Sequence, residues 1–345
     1  RVALARAQLQ AARALDPSAP EVLFAEGDYL YHLEEDFAGA LAAYERTLAA
    51  QAGHPEAQTM IGLAQRRLGR FAQSARTLMQ AHDADPGNLG TASVLVETLA
   101  LMNQTRTLQQ LLPRLRARFP DQTDFGAQAA LLALSADGDV ERAQRTLDDV
   151  TPNDGEAYYE AALTLAWAKR DLDAIKAFWR LPPIRQLIRD NTTYQGARQL
   201  SLGTAHMLLG DRAEGEQLLE DIAARLRTPQ SDESEYSRYA RLVSLAQAQV
   251  WLGQTEAARD NAQTVISEFP MSRDRIAAMS LHTQANLVLG RAGDRDALLE
   301  FVERCLDQPN GLSAQLLKLD PHWDFLLDDP RYVAMLDEAL SPQRN

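Results

Sequence analysis

Groups able to do chemistry are thinly spread along this chain. Its six histidines (His32, His54, His82, His206, His282 and His322) stand far apart, and no H-E-x-x-H pair places two imidazoles on one helix face for zinc. The single cysteine, Cys305, offers no Cys/His ligand set and falls at an apolar helical position, where a buried, inert thiol is expected. Gly290-Arg291-Ala292-Gly293 lacks the spacing and the preceding strand of a nucleotide fingerprint, so it reads as a turn. Asp83-Ala84-Asp85-Pro86-Gly87-Asn88 has acids at the spacing of a calcium loop, but Pro86 and the missing bidentate acid at its end argue against one. No G-x-S-x-G elbow exists. The expectation is a stretch without catalysis, cofactor or metal.

Composition narrows the partners. A formal charge of −13 opposes the phosphate-driven contacts of nucleic-acid binding, which need clustered Lys and Arg. No apolar run approaches the ~18 residues of a membrane span, so direct membrane contact is not expected of this stretch. One cysteine cannot form an internal disulfide and leaves the redox compartment open. Hydrophobic residues make up 46% but aromatics only 6%, which suits an Ala- and Leu-rich core between closely packed helices.

The elements that would carry any site repeat along the chain. Gly62 follows Pro55 by seven residues and Gly69 follows Gly62 by seven, and then come Phe71, Ser74, Leu78, Ala81 and Pro86. This order resembles the 34-residue tetratricopeptide repeat, in which two antiparallel helices form a unit and units stack into a solenoid. The steric logic is a small residue on each helix for close approach, large apolar residues between units, and proline to end the second helix. Weaker copies are marked by Gly27 and Tyr44, by Ala92 and Leu115, by Gly138 and Leu147, by Ala166 and Phe178, by Gly203 and Leu219, by Gly253 and Ala262, and by Gly293 and Val302. The resemblance implies an all-α fold: a right-handed superhelix of helix pairs with a short helical C-terminal cap. Residues 1–17 read as the second helix of a truncated repeat, residues 18–308 as about eight pairs, and residues 309–345 as the cap. Two stretches, 181–194 with Pro182-Pro183 and Asn191, and 227–236 with Thr228-Pro229, read as loops or bends.

Beyond Asp307 a more specific pattern follows: Pro309-Asn310-Gly311-Leu312-Ser313, then Leu319-Asp320-Pro321, Trp323-Asp324 and Asp329-Pro330-Arg331-Tyr332. It resembles the tail of tetratricopeptide regions in bacterial transmembrane Ser/Thr protein kinases, and also in winged-helix regulators and class III adenylate cyclases. Phe325 replaces a usual Pro, Leu327 a common Arg and Tyr332 a usual Phe. Phe269-Pro270-Met271-Ser272-Arg273-Asp274 is similar to the L-P-x-S-x-D link before the last repeat of that group. No glycine-rich phosphate loop, H-R-D or D-F-G is present, so a parent kinase would carry its catalytic domain ahead of Arg1.

That resemblance implies a protein or peptide ligand in the concave groove. Positions of the first helix of each pair that face the groove map to Phe24, Asp28, Tyr31 and His32, then Thr59, Leu63, Arg66 and Arg67, then Glu97. Farther along come Glu160, Thr164, Trp167, Gln247 and Trp251. Tyr31 with Arg66 and Arg67 is suited to grip a carboxylate, since aromatics and Arg dominate binding energy at interfaces. The competing reading makes Arg66 and Arg67 a solvated helix end before Gly69. The resemblance further implies a sensory region held in the periplasm; a self-associating scaffold is the alternative from another class.

Overall fold

The structure, a computed structural model, describes residues 2–153, 155–190, 192–229 and 233–341. Its named elements are all helical, and the only β-type pairing among the described residues is an isolated bridge between Leu306 and Leu312. The chain divides into two compact units.

The first unit comprises Arg1–Gln104 together with Met271–Ile276. It holds α1 (Val2–Leu15), α2 (Pro20–His32), α3 (Phe37–Ala50), α4 (Pro55–Arg67), α5 (Phe71–Ala84) and α6 (Leu89–Leu101). Proline opens α2 and α4, where its missing N–H would have had no helical partner. Asn88 caps α6 by accepting from the Thr91 N–H at 3.0 Å. Asp85 and Asn88 thus serve the turn between α5 and α6, Asp85 accepting from the Gly87 N–H at 3.0 Å, while Asp83 lies within α5. Helix α4 ends on Gly69 at φ +74°, with Gly69 N–H on the Arg66 carbonyl and Arg70 N–H on that of Gln65. This is the left-handed stop that glycine accepts without strain.

Close approach within each pair rests on absent side chains. A Cβ on Gly27 would lie 2.4 Å from the Tyr44 ring, and one on Gly62 would lie 2.6 Å from Leu78 Cγ. Tyr44 and Leu78 are fully buried there. Around them Tyr31, Phe37, Leu41, Ile61 and Ala64 form the core, each large side chain worth about 1.5–3 kcal/mol of burial.

The second unit comprises Thr105–Pro270 and Ala277–Asn345. Its helices are α7 (Thr105–Arg118), α8 (Asp124–Asp137), α9 (Val140–Asp148), α10 (Glu156–Ala168), α11 (Leu172–Phe178), α12 (Pro182–Asp190), α13 (Thr192–Leu209), α14 (Arg212–Leu226), α15 (Glu235–Trp251), α16 (Thr255–Glu268) and, from Ala277 onward, α17 (Arg275–Arg291), whose first two residues belong to the first unit. Then come α18 (Arg295–Cys305), α19 (Ala314–Leu319), a 3-10 turn over Pro321–Leu326, and α20 (Pro330–Ala339). The expected bend at 181–194 is corrected: residues 182–190 form α12, because Pro182 and Pro183 occupy its first turn rather than its interior. Asn191 lies outside the described residues, as do residues 230–232 of the second expected loop. The described part of that loop is tethered, since Glu233 and Arg241 form a two-bonded ion pair at 2.7 and 3.0 Å.

The C-terminal segment does more than cover the last pair. Ser313 Oγ donates to the Ser135 carbonyl at 3.0 Å, and Leu316 and Leu319 pack on the core of α8, α9 and α10. The His322 ring meets Trp167 at 4.4 Å between centroids, and Asp324 accepts from both terminal nitrogens of Arg170. On the other side Arg295 pairs with Asp328 at 2.9 Å and Arg331 with Asp296 at 2.7 Å. Trp323, Leu326 and Tyr332 are buried in the process. No described helix is long and apolar enough to cross a membrane.

Candidate functional site

The face formed by α2, α4 and α6 in the first unit gathers the groove residues read from the sequence. Their positions follow from register: Tyr31 sits in the last turn of α2, Arg66 and Arg67 in the last turn of α4, and Glu97 near the end of α6. Two guanidinium groups at a helix C-terminus are also favoured by the helix dipole, by about 0.3–1 kcal/mol each when exposed.

The two arginines are not a solvated helix end. Arg66 is only 9% exposed; its Nη1 donates to Glu97 Oε2 at 3.1 Å and to Thr98 Oγ1 at 3.5 Å, while its Nε is buried without a hydrogen-bond partner. Arg67 donates from Nη1 to Asp274 Oδ2 at 2.6 Å and from Nε to the Tyr31 hydroxyl at 3.3 Å. Its guanidinium lies 6.0 Å from the Tyr31 ring centre and 5.4 Å from that of Phe37. Burial alone would lower its proton affinity, but Tyr31 and Asp274 outweigh burial and raise it. Asp274 is itself 7% exposed, and its Oδ1 accepts from the Ile276 N–H at 3.0 Å at the start of α17.

The other groove candidates divide. The Thr59 and Thr91 hydroxyls bond at 2.7 Å, bridging α4 and α6, and Leu63 packs on the core of this unit. Phe24 stacks on His54 at 4.9 Å and tilts over Tyr44 at 5.5 Å. Asp28 accepts from the Tyr44 hydroxyl at 2.8 Å, so its carboxylate already serves the pair it belongs to. His32 is exposed and meets the edge of Tyr31 at 4.8 Å. Of the groove candidates, the structure pairs Tyr31 with Arg67 and Arg66 with Glu97, and joins Thr59 to Thr91.

In the second unit the corresponding face is taken by the chain itself. Trp167 lies under His322, and Trp251 forms one side of a sandwich around Arg291, 4.1 Å from its ring centre, with Phe325 at 4.4 Å on the other side. Arg291 also donates to the His322 carbonyl at 2.6 Å, and burial pushes its guanidinium down to about 10. Burial would raise the Asp320 carboxyl, but the His322 ring and backbone N–H and the Arg291 charge leave it below its ordinary value. A separate cleft of about 440 Å³ is lined by Pro113, Arg116, Phe119, Thr123, Asp149 and Val150, with one charge of each sign. Among the described residues, no three His, Cys, Asp or Glu side chains are grouped to hold a metal ion.

Sequence reasoning missed Asp274 and Arg291. The first left a signal in the Pro270-Met271-Ser272-Arg273-Asp274 link, which marked a distinctive connection without disclosing its contact with Arg67, 207 residues away. The second left none, because Arg291 reads as an ordinary cation at a helix end.

Helix pairs recurring about every 34 residues, a bare glycine against a large side chain in the pairs α2–α3, α4–α5 and α13–α14, and left-handed stops between helices carry the fold. The chain is an all-α solenoid of tetratricopeptide type. It is similar to a tetratricopeptide repeat protein from Parabacteroides merdae, with 12% identity over 87% of this chain and 98% of that one, at a TM-score of 0.37. It is also similar to the APC/C hetero-tetramer Cut9-Hcn1, with 13% identity over 93% of this chain and 55% of that one, at a TM-score of 0.42. A thermophilic tetratricopeptide protein of Thermus thermophilus gives 19% identity over 76% of this chain and 98% of that one, at a TM-score of 0.24. No family model and no curated protein sequence matches the chain.

Proposed function

We propose that this chain is a non-enzymatic protein- or peptide-binding module whose ligand lies on the α2–α4–α6 face of the first unit. One observation carries the reading. Tyr31 and Arg66, both buried, with half-buried Arg67 and exposed Glu97, place aromatic area and both charges on neighbouring first helices, whereas the same face of the second unit is covered by residues 313–326 of the chain. A partly desolvated guanidinium is a strong carboxylate receptor, and losing it typically weakens binding by roughly 2–5 kcal/mol.

A peptide display library selected against the Asp274→Ser chain tests this. That background removes the carboxylate already held by Arg67 and avoids stranding a buried charge in the arginine variants. Selected peptides should be rich in Asp or Glu. They should lose at least a factor of ten in affinity (about 1.4 kcal/mol) when Arg66→Ala and Arg67→Ala are added, with the far-ultraviolet dichroism unchanged. Equal affinity for the added-mutation chain would place the site elsewhere.

The resemblance of residues 309–332 to the tails of bacterial signalling proteins supports a narrower proposal. The module serves as the sensory or regulatory part of such a protein, a transmembrane Ser/Thr kinase first among them, with the repeats in the periplasm. A C-terminal reporter fusion active only in the cytosol would reverse the compartment.

A further inference from the structure

Within the first unit, Met271–Ile276 touches the candidate face as a bound peptide would. Asp274 is its buried residue, while Ser272 and Arg273 are exposed and Met271, Arg275 and Ile276 are half-buried. Asp274 carries the charged contact, and a short ligand is commonly held by a few energetic residues of this kind. The anchor is chemically specific: a carboxylate at 2.6 Å from a guanidinium that is framed by the Tyr31 and Phe37 rings. Beside it the stem of Arg275 runs over Gly69, with Arg275 Cγ 3.5 Å from where a Cβ would stand. Glycine there keeps the approach open as well as ending α4.

We infer that Met271–Ile276 is a built-in competitor for the ligand of this face, and that the external ligand is a peptide segment carrying an Asp followed by a residue with a long side chain. The inference rests on the binding role proposed above. It adds the ligand's local chemistry and a reason for low affinity in the resting chain. A tethered competitor acts at an effective concentration on the order of mM, so a site with an intrinsic affinity of ~0.1 mM for such a segment would bind it ~10-fold more weakly while the tether is seated. A merely architectural Asp274, capping α17 and bracing Arg67, would produce no competition.

The probe is a fluorescein-labelled synthetic peptide of residues 269–276, Phe-Pro-Met-Ser-Arg-Asp-Arg-Ile, titrated by anisotropy into the whole chain. Asp274→Ser keeps a side-chain oxygen for the Ile276 N–H and removes the carboxylate from Arg67. It should bind the probe at least tenfold more tightly than the unmodified chain. Adding Arg67→Ala, or replacing the probe's Asp with Asn, should abolish that gain. Equal affinity for the two chains, or no binding to either, overturns the inference, even where library peptides still need Arg66 and Arg67. If Asp274→Ser unfolds, Asp274→Asn repeats the comparison with the cap and a polar neighbour for Arg67 retained.

Discussion

Tyr332 is fully buried in the C-terminal segment, yet its hydroxyl meets no hydrogen-bond partner among the described atoms. Burial, with Asp320 and Asp324 nearby, raises its pKa, so it stays a neutral phenol that has lost water and gained nothing. An unsatisfied buried polar group costs about 1–3 kcal/mol. Tyr332→Phe should therefore raise the urea midpoint by an amount equal to about 1 kcal/mol or more; an unchanged or lower midpoint would show that the hydroxyl is bonded. Arg170 presents the opposite balance. It adopts φ +54°, a left-handed geometry that disfavours a side chain, and its bidentate hold on Asp324 gives a reason to keep arginine where glycine is easier.

At the level of helices, the close pairs depend on what a glycine lacks. Gly62→Ala gains about 1 kcal/mol of helix propensity, but its Cβ would stand 2.6 Å from Leu78 Cγ, in a place where Leu78 is wholly buried and cannot step aside. Overpacking of this kind costs about 1–3 kcal/mol. The balance falls on destabilisation, and the thermal midpoint of Gly62→Ala should drop; a rise would mean that α4 and α5 have room to move apart. These pairs were legible because the code is local: glycine, alanine and leucine recur at helical spacing, and Gly69 and Asn103 mark left-handed stops in the residue types that tolerate them. Helix α12 was not legible, since two prolines signal a break whether they stand inside a helix or at its first turn. Of the site, Tyr31, Arg66, Arg67 and Glu97 could be read from register. Asp274 could not, because no periodicity reports that it meets Arg67.

On the scale of the whole chain, the C-terminal segment is part of the second unit's core. Ending the chain at Gln308 would remove Trp323, Leu326 and Tyr332 from that core and uncover the side of α8 and α10 on which Leu316 and Leu319 lie. Each large side chain contributes about 1.5–3 kcal/mol. Amide exchange in α8 and α10 should speed up at least tenfold in the truncated chain while α4 keeps its protection; unaltered exchange in α8 would reduce the segment to an appendage. The same contacts bear on how the chain is made. Ordinary repeat arrays fold by neighbour-to-neighbour contact, and each pair can close soon after it is synthesised. Here Ser313 reaches back 178 residues to Ser135, and Asp324 reaches back 154 to Arg170. At about 5–20 residues per second, α8 has left the ribosome roughly 10–40 s before its cover arrives. During that interval an apolar helix face waits in the open, and covering it is a non-local step of the kind that slows folding.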